Sequence, residues 1–163
     1  MTDAPTDALC ELTVLIVEDG DEYLDNLSRF VPGPRYLQAH DGETALAELR
    51  RSPVDLVYLD MRFDRIDPEL LLGDLQATAT RFGGDVGRAL KQLQNHQGLY
   101  ILDALGRGGH AQLPVILAYD FTREPRRLAH LVARHPHLSW VPDAITPETI
   151  RDRILRLTGR GPG

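Results

Sequence analysis

The stretch Val57-Tyr58-Leu59-Asp60-Met61-Arg62 constrains this chain more tightly than any other. With Leu56 ahead of it, it is a short, mostly apolar run that ends on one acid, and Ser52-Pro53 precedes it. Four to eight apolar residues between polar signals suit a strand buried on both faces. Periodicity alone does not exclude a helix, but the short length and the flanking Ser-Pro favour the strand. An acid at the end of such a strand lies at the carboxyl edge of a parallel sheet, where α/β folds place their ligands. Leu15-Ile16-Val17-Glu18-Asp19 has the same form and ends on two acids. Side by side, the two strands would gather Glu18, Asp19 and Asp60 at one edge. Three carboxylates there repel one another unless a hard cation joins them, and Mg²⁺ with oxygen ligands is the natural candidate.

The rest of the chain reads as alternating strands and helices. Residues 1–11 carry small, acidic and proline residues and are expected to be a flexible tail. A strand follows over about 13–17, then a helix opened by Gly20-Asp21 with Leu24, Leu27 and Val31 on one face, stopped by Pro32-Gly33-Pro34. Residues 36–39 form a second strand. Asp41 caps the next helix, whose buried face is Ala45, Leu46 and Leu49. Pro68 suits a helix start, with Leu71, Leu72 and Leu75 in a stripe that continues to Ala79 before Gly83-Gly84 breaks it. A second helix carries Val86, Leu90 and Leu93 and is open to running on through Gly98 to Ile101 and Leu105. Residues 106–109 are a turn and 114–118 the fourth strand. Thr122 is placed to cap a helix with Leu128, Leu131 and Val132 inward; 138–141 is the fifth strand. Thr146-Pro147 begins the last helix, with Ile150, Ile154 and Leu157 facing the core.

In order and spacing the sequence resembles a response-regulator receiver domain. The resemblance is carried by Val14-Leu15-Ile16-Val17-Glu18-Asp19, by the segment from Ala39 to Leu46, by Asp55 to Arg62, and by Leu113-Pro114-Val115-Ile116-Leu117. It covers most of the chain, residues 12–158, apart from an inserted block at about 63–97 and the tails 1–11 and 159–163. It implies a doubly wound α/β fold with a five-stranded parallel sheet in the order 2-1-3-4-5, flavodoxin-like, with a helical insertion after the third strand. It also implies a role for each acid. Asp60 is the phosphoacceptor, taking a phosphoryl group from a histidine kinase or phosphotransfer protein, while Glu18, Asp19, an Asp60 oxygen and the backbone carbonyl of Arg62 hold Mg²⁺. A carboxylate is a modest nucleophile, so such catalysis is mostly positioning and charge neutralisation. One acid alone would be read as a helix cap or a strand end. Three in this spacing are read as a metal site.

Two positions depart from the family. Its fourth strand ends in Thr or Ser, and here Tyr119 stands there; its fifth strand ends in Lys before Pro, and here Val141 precedes Pro142. The only lysine in the chain is Lys91, inside the insertion, so no shift of register restores one on the fifth strand. A lost cation at developing charge costs a few kcal/mol, on the order of 10²-fold in rate. The aromatic switch position falls at Leu138. Trp140 is expected to pack on the face opposite Val141. His135-Pro136-His137 has the look of a metal pair with no partner in the sequence to complete it, and it is read as a loop.

Composition bears on partners. A net charge of −6 with no compensating basic face argues against nucleic acid. No long apolar run suits a membrane span, the start lacks the marks of a signal peptide, and the lone Cys10 fits a reducing compartment. A cytoplasmic bacterial signalling domain is expected, stand-alone or cut at a linker. It is expected not to be an enzyme beyond self-catalysed phosphotransfer and dephosphorylation. Its partners would be the kinase, a downstream protein and, through the leucines of the insertion, a second copy. Two readings stay open. The first is a phosphoacceptor that alters partner binding, taken slightly ahead because a drifting adaptor has no need of all three acids. The second is a phosphorylation-independent pseudo-receiver acting as a protein-binding adaptor. A hydrolase working through Asp60 has little support, since Met61-Arg62 stands where such enzymes carry a second acid.

Overall fold

A computed structural model describes residues 8–142 and 144–161. Five parallel strands lie in the order β2-β1-β3-β4-β5: β1 (Thr13–Val17), β2 (Arg35–Ala39), β3 (Leu56–Asp60), β4 (Val115–Ala118) and β5 (Leu138–Val141). The helices are α1 (Glu22–Phe30), α2 (Gly42–Arg51), α3 (Leu75–Arg81), α4 (Val86–Asn95), α5 (Gln97–Leu105), α6 (Pro125–Arg134) and α7 (Pro147–Leu157). The doubly wound sheet expected from the sequence is the one observed.

Alternation along the strands divides the core in two. Leu15, Val17, Val57, Leu59, Val115 and Leu117 face one layer, against Ala45, Leu93, Ile101, Leu105 and Leu131 of α2, α4, α5 and α6. Val14, Ile16, Leu56, Tyr58, Ile116, Ala118 and Val141 face the other, against Leu27 of α1, Val31, and Ile150 and Ile154 of α7. Burial on both faces explains why the central strands read as continuous apolar runs. Each fully buried aliphatic side chain contributes about 1.5–3 kcal/mol. Trp140 packs with the first layer and Val141 with the second, as alternation required.

The insertion is ordered, and its leucines other than the exposed Leu70 face the domain. A 3₁₀ turn over Pro68–Leu70 is followed by extended Leu71 and by Gly73 at φ 108°, so the helix expected to run from Pro68 to Ala79 is interrupted and restarts at Leu75. Asp74 caps the restart through the Ala77 amide at 2.9 Å. Gly83 and Gly84 turn the chain in the left-handed region, and Asp85 caps α4. His96, at φ −120° and ψ 18°, separates α4 from α5, which ends the expected continuous helix. Leu71 and Leu93 are buried in the first layer, and Leu72, Leu75 and Leu90 pack against it. Most of that stripe packs on this domain's own core, while Val86 is exposed.

Three other expectations change. Residues 8–10 are helical and Leu9 is 1% exposed, beside Gly33, so the expected N-terminal tail does not extend through 8–11; residues 1–7 lie outside the described residues. Thr122 donates to Asp120 in a local turn instead of capping α6, which begins after Glu124 with Pro125 in its first turn. Val132 is 40% exposed, because α6 turns Leu131 inward instead. At the other end, Thr146 caps α7 as expected. Residues 162–163 of the expected C-terminal tail lie outside the described residues, while Arg160 pairs with Glu11. Among the described residues, no helix is long and apolar enough to cross a membrane.

Candidate functional site

Strand register brings the acids together. Val17 pairs with Leu59, so Glu18 follows β1 at the level where Asp60 ends β3, and Asp60 itself pairs with Ala118 of β4. The β1–α1 loop is pinned from β2. Gln38 Nε2 donates to the Gly20 carbonyl at 2.7 Å, and His40 Nδ1 lies 3.1 Å from the Glu18 carbonyl.

Each carboxylate is engaged by the protein itself. Glu18 is 1% exposed and accepts the amides of Tyr23 at 2.8 Å and Leu24 at 3.2 Å, closing the N-terminus of α1. Burial pushes its carboxyl up to about 7, against the lowering effect of the two amides, with Glu22 and Asp60 adding repulsion. Asp19 has a side chain 2% exposed. Its Oδ2 accepts the amides of Asp64 and Arg65, both at 3.0 Å, and its Oδ1 accepts Arg65 Nη2 at 3.0 Å. Arg65 also grips Glu22 through two bonds, 2.6 and 3.0 Å, which hold the Glu22 carboxyl down to about 2. Asp60 is half-buried, and its Oδ1 accepts the Met61 amide at 2.8 Å.

Mg²⁺ demands near-octahedral oxygen donors at about 2.0–2.1 Å and gives up water reluctantly. Here one Glu18 oxygen takes two amides at a helix end, and both oxygens of Asp19 serve Arg65 and its neighbour. Among the described residues no three His, Cys, Asp or Glu side chains gather as metal ligands. As arranged, the donor set does not fit the ion.

Asp60 opens on a cleft of about 450 Å³, lined also by Met61, Arg62, Asn95, His96, Ala118, Tyr119 and Asp120. Arg62 Nε donates to Asn95 Oδ1 at 3.1 Å. The floor is set by α5: the Gly98 amide donates to the Met61 carbonyl at 2.9 Å, and a Cβ on Gly98 would meet Met61 Cα at 2.9 Å and press on the Asp60 carbonyl. Only glycine permits that approach. On the far side, the Tyr119 ring meets Phe121 edge-on at 4.7 Å, with the Arg127 guanidinium 5.8 Å over it. Burial first, and Glu124 next, raise the Tyr119 hydroxyl. Arg127 also bonds His96 Nδ1 at 2.7 Å; burial and that guanidinium hold the imidazole below its usual range. Val141 is fully buried in the second apolar layer.

The remaining histidines do not form a site. His135 Nε2 is 3.0 Å from Asp103 Oδ1, an acid not apparent from the local sequence, but Arg134 shares that oxygen at 3.1 Å. His137 Nε2 lies 2.9 Å from Gln112 Oε1. Lys91 lies on α4. Sequence reasoning missed Arg65, Gly20 and His96. Arg65 follows β3 by five residues inside the insertion, and only the fold reveals its target.

No family model and no curated protein matches the sequence. Solved structures do. The receiver domain of the Francisella response regulator 1452 superposes with a TM-score of 0.60 at 15% identity, over 91% of this chain and 98% of that one. A response regulator receiver domain protein from Clostridium thermocellum gives 0.60 at 13%, over 91% and 95%. The N-terminal domain of an uncharacterized Wolinella succinogenes protein gives 0.58 at 22%, over 91% and 94%. Strand order and helices on both faces agree with these likenesses: the chain has the fold of a response-regulator receiver domain.

Proposed function

We propose that this protein is a two-component-type signalling module of receiver fold that binds its partner protein without phosphate on Asp60 as the switch. The observation that carries this reading is the loss of donors on the phosphate side of the cleft. Val141 is fully buried among aliphatic residues, and the Tyr119 ring packs edge-on against Phe121 under the Arg127 guanidinium. Phosphoryl transfer to a carboxylate depends on positioned positive charge, so an aliphatic Val141 in place of a cation removes a main driving element. A second reading keeps Asp60 as a Mg²⁺-dependent phosphoacceptor for a histidine kinase or phosphotransfer protein, with Glu18, Asp19, Asp60 and the Arg62 carbonyl as ligands. It is favoured by the position of Asp60 on an open cleft beside Arg62 and His96.

One experiment separates them: incubation with acetyl phosphate and Mg²⁺, followed by intact mass of the wild type and Asp60→Asn. The phosphate-independent module gives no adduct on either protein. An adduct on the wild type that Asp60→Asn abolishes would install the second reading.

A further inference from the structure

We infer that Arg65 is the resident counter-cation of this acidic edge, a tethered guanidinium that neutralises Asp19 and Glu22 and so excludes a divalent ion from Asp19. This rests on the β1–α1 edge and not on Asp60, and it deepens the phosphate-independent reading without depending on it.

Three independent features point to a built seat. The first is the bonding. Arg65 reaches Asp19 through one guanidinium nitrogen and Glu22 through two, while the amides of Asp64 and Arg65 take the other Asp19 oxygen. Backbone and side chain of one short segment thus engage both oxygens of a carboxylate that is 2% exposed. An arginine fork suits this task, because it bonds two carboxylates in fixed geometry and never loses its charge. The second is the room made for it. A Cβ on Gly20 would stand 2.6 Å from Arg65 Cζ, so a bare glycine after Asp19 lets the guanidinium sit there without shifting. The third is anchorage. Phe63 is fully buried, and its amide donates to the Gln94 carbonyl at 2.9 Å, so the segment bearing Arg65 is held from the core side as well. Pre-ordering the backbone lowers the entropy lost in fixing a long side chain.

The charge arithmetic follows. Without Arg65, Asp19 and Glu22 repel each other and Glu18, and only an ion or protonation relieves that repulsion. With Arg65 seated, an incoming Mg²⁺ has to displace a guanidinium and two amides from Asp19 while approaching a positive charge. It gains at most ligands already satisfied.

The test uses the full chain with no phosphoryl donor present, so its outcome is separate from adduct formation on Asp60. Mn²⁺ is titrated and followed by water-proton relaxation, and thermal stability is measured with and without Mg²⁺. The wild type, Arg65→Gln, Arg65→Lys and Arg65→Gln/Asp19→Asn are compared, with circular dichroism as the check on folding. Wild type shows no saturable Mn²⁺ binding at millimolar ion and no Mg²⁺ shift. Arg65→Gln gains affinity by about tenfold or more, the scale set by one like charge a few ångström away near a surface. The gain disappears in the double variant. Arg65→Lys keeps the charge without the fork and binds Mn²⁺ between the two; it carries the test if Arg65→Gln does not fold. Saturable binding by the wild type equal to that of Arg65→Gln overturns the inference. So does a folded Arg65→Gln that gains none.

Discussion

Gln97 is the hinge-pin between the insertion and the receiver core, and replacing it with leucine measures how firmly the insertion is fixed. The side chain is 0% exposed, at the start of α5. Its Oε1 accepts the Leu72 amide at 2.7 Å, and its Nε2 donates to the carbonyls of Leu72 and Leu93, both at 3.1 Å. Gln97→Leu keeps much of the volume but strands three backbone groups. A net value of about 1 kcal/mol per lost hydrogen bond gives about 3 kcal/mol, because a buried group left unpaired loses its full solvation. Leucine returns some transfer free energy, and water reaches the half-buried Leu72 groups, so a loss of about 2–4 kcal/mol brackets the expectation. For a chain of this size that is a fall in Tm of about 4–16 °C, at about 2–4 °C per kcal/mol. Urea unfolding with linear extrapolation measures the free energy, and amide exchange at Leu72 reports the local effect. A loss below about 1 kcal/mol, or an unchanged Leu72 exchange rate, would refute the view that this side chain ties the two parts together.

Two further predictions concern the site. The Glu18 carboxyl stands at about 7 in the folded protein against 4.5 as its ordinary value, so the native state favours its protonated form. Its contribution to stability is therefore full below about pH 4.5, declines as pH rises to about 7, and is lost above that, a span of about 3 kcal/mol. Glu18→Gln should flatten that decline between pH 5 and pH 8 in urea melts; equal slopes in both proteins would contradict the assignment. Gly98→Ala should push the start of α5 away from the end of β3 and cost about 1–3 kcal/mol, the usual range for overpacking. A crystal structure of the variant with an unmoved Gly98–Met61 hydrogen bond and unchanged stability would disprove the close approach.

How much of this was open to reading differs between fold and site. The apolar runs of β1, β3 and β4 are legible because burial on both faces leaves no polar alternation, and Asp41 and Thr146 announce their helices by local hydrogen bonding that any chain can form. Leu71 and Leu93 of the insertion were legible as apolar, but not which surface they would cover. Proximity of Glu18, Asp19 and Asp60 followed from strand order alone. What the acids bond to did not. The sequence by itself determined the doubly wound sheet and placed the carboxylates at one edge, since local periodicity and connection rules suffice for that. The tertiary structure alone decided that Arg65 lies against Asp19, that Gln97 clasps Leu72, and that Arg127 lies over the Tyr119 ring. Those partners lie 46, 25 and eight residues away. In the first two cases the pairing is set by where an inserted block returns to the core, in the third by the turn after β4, and no local propensity encodes either.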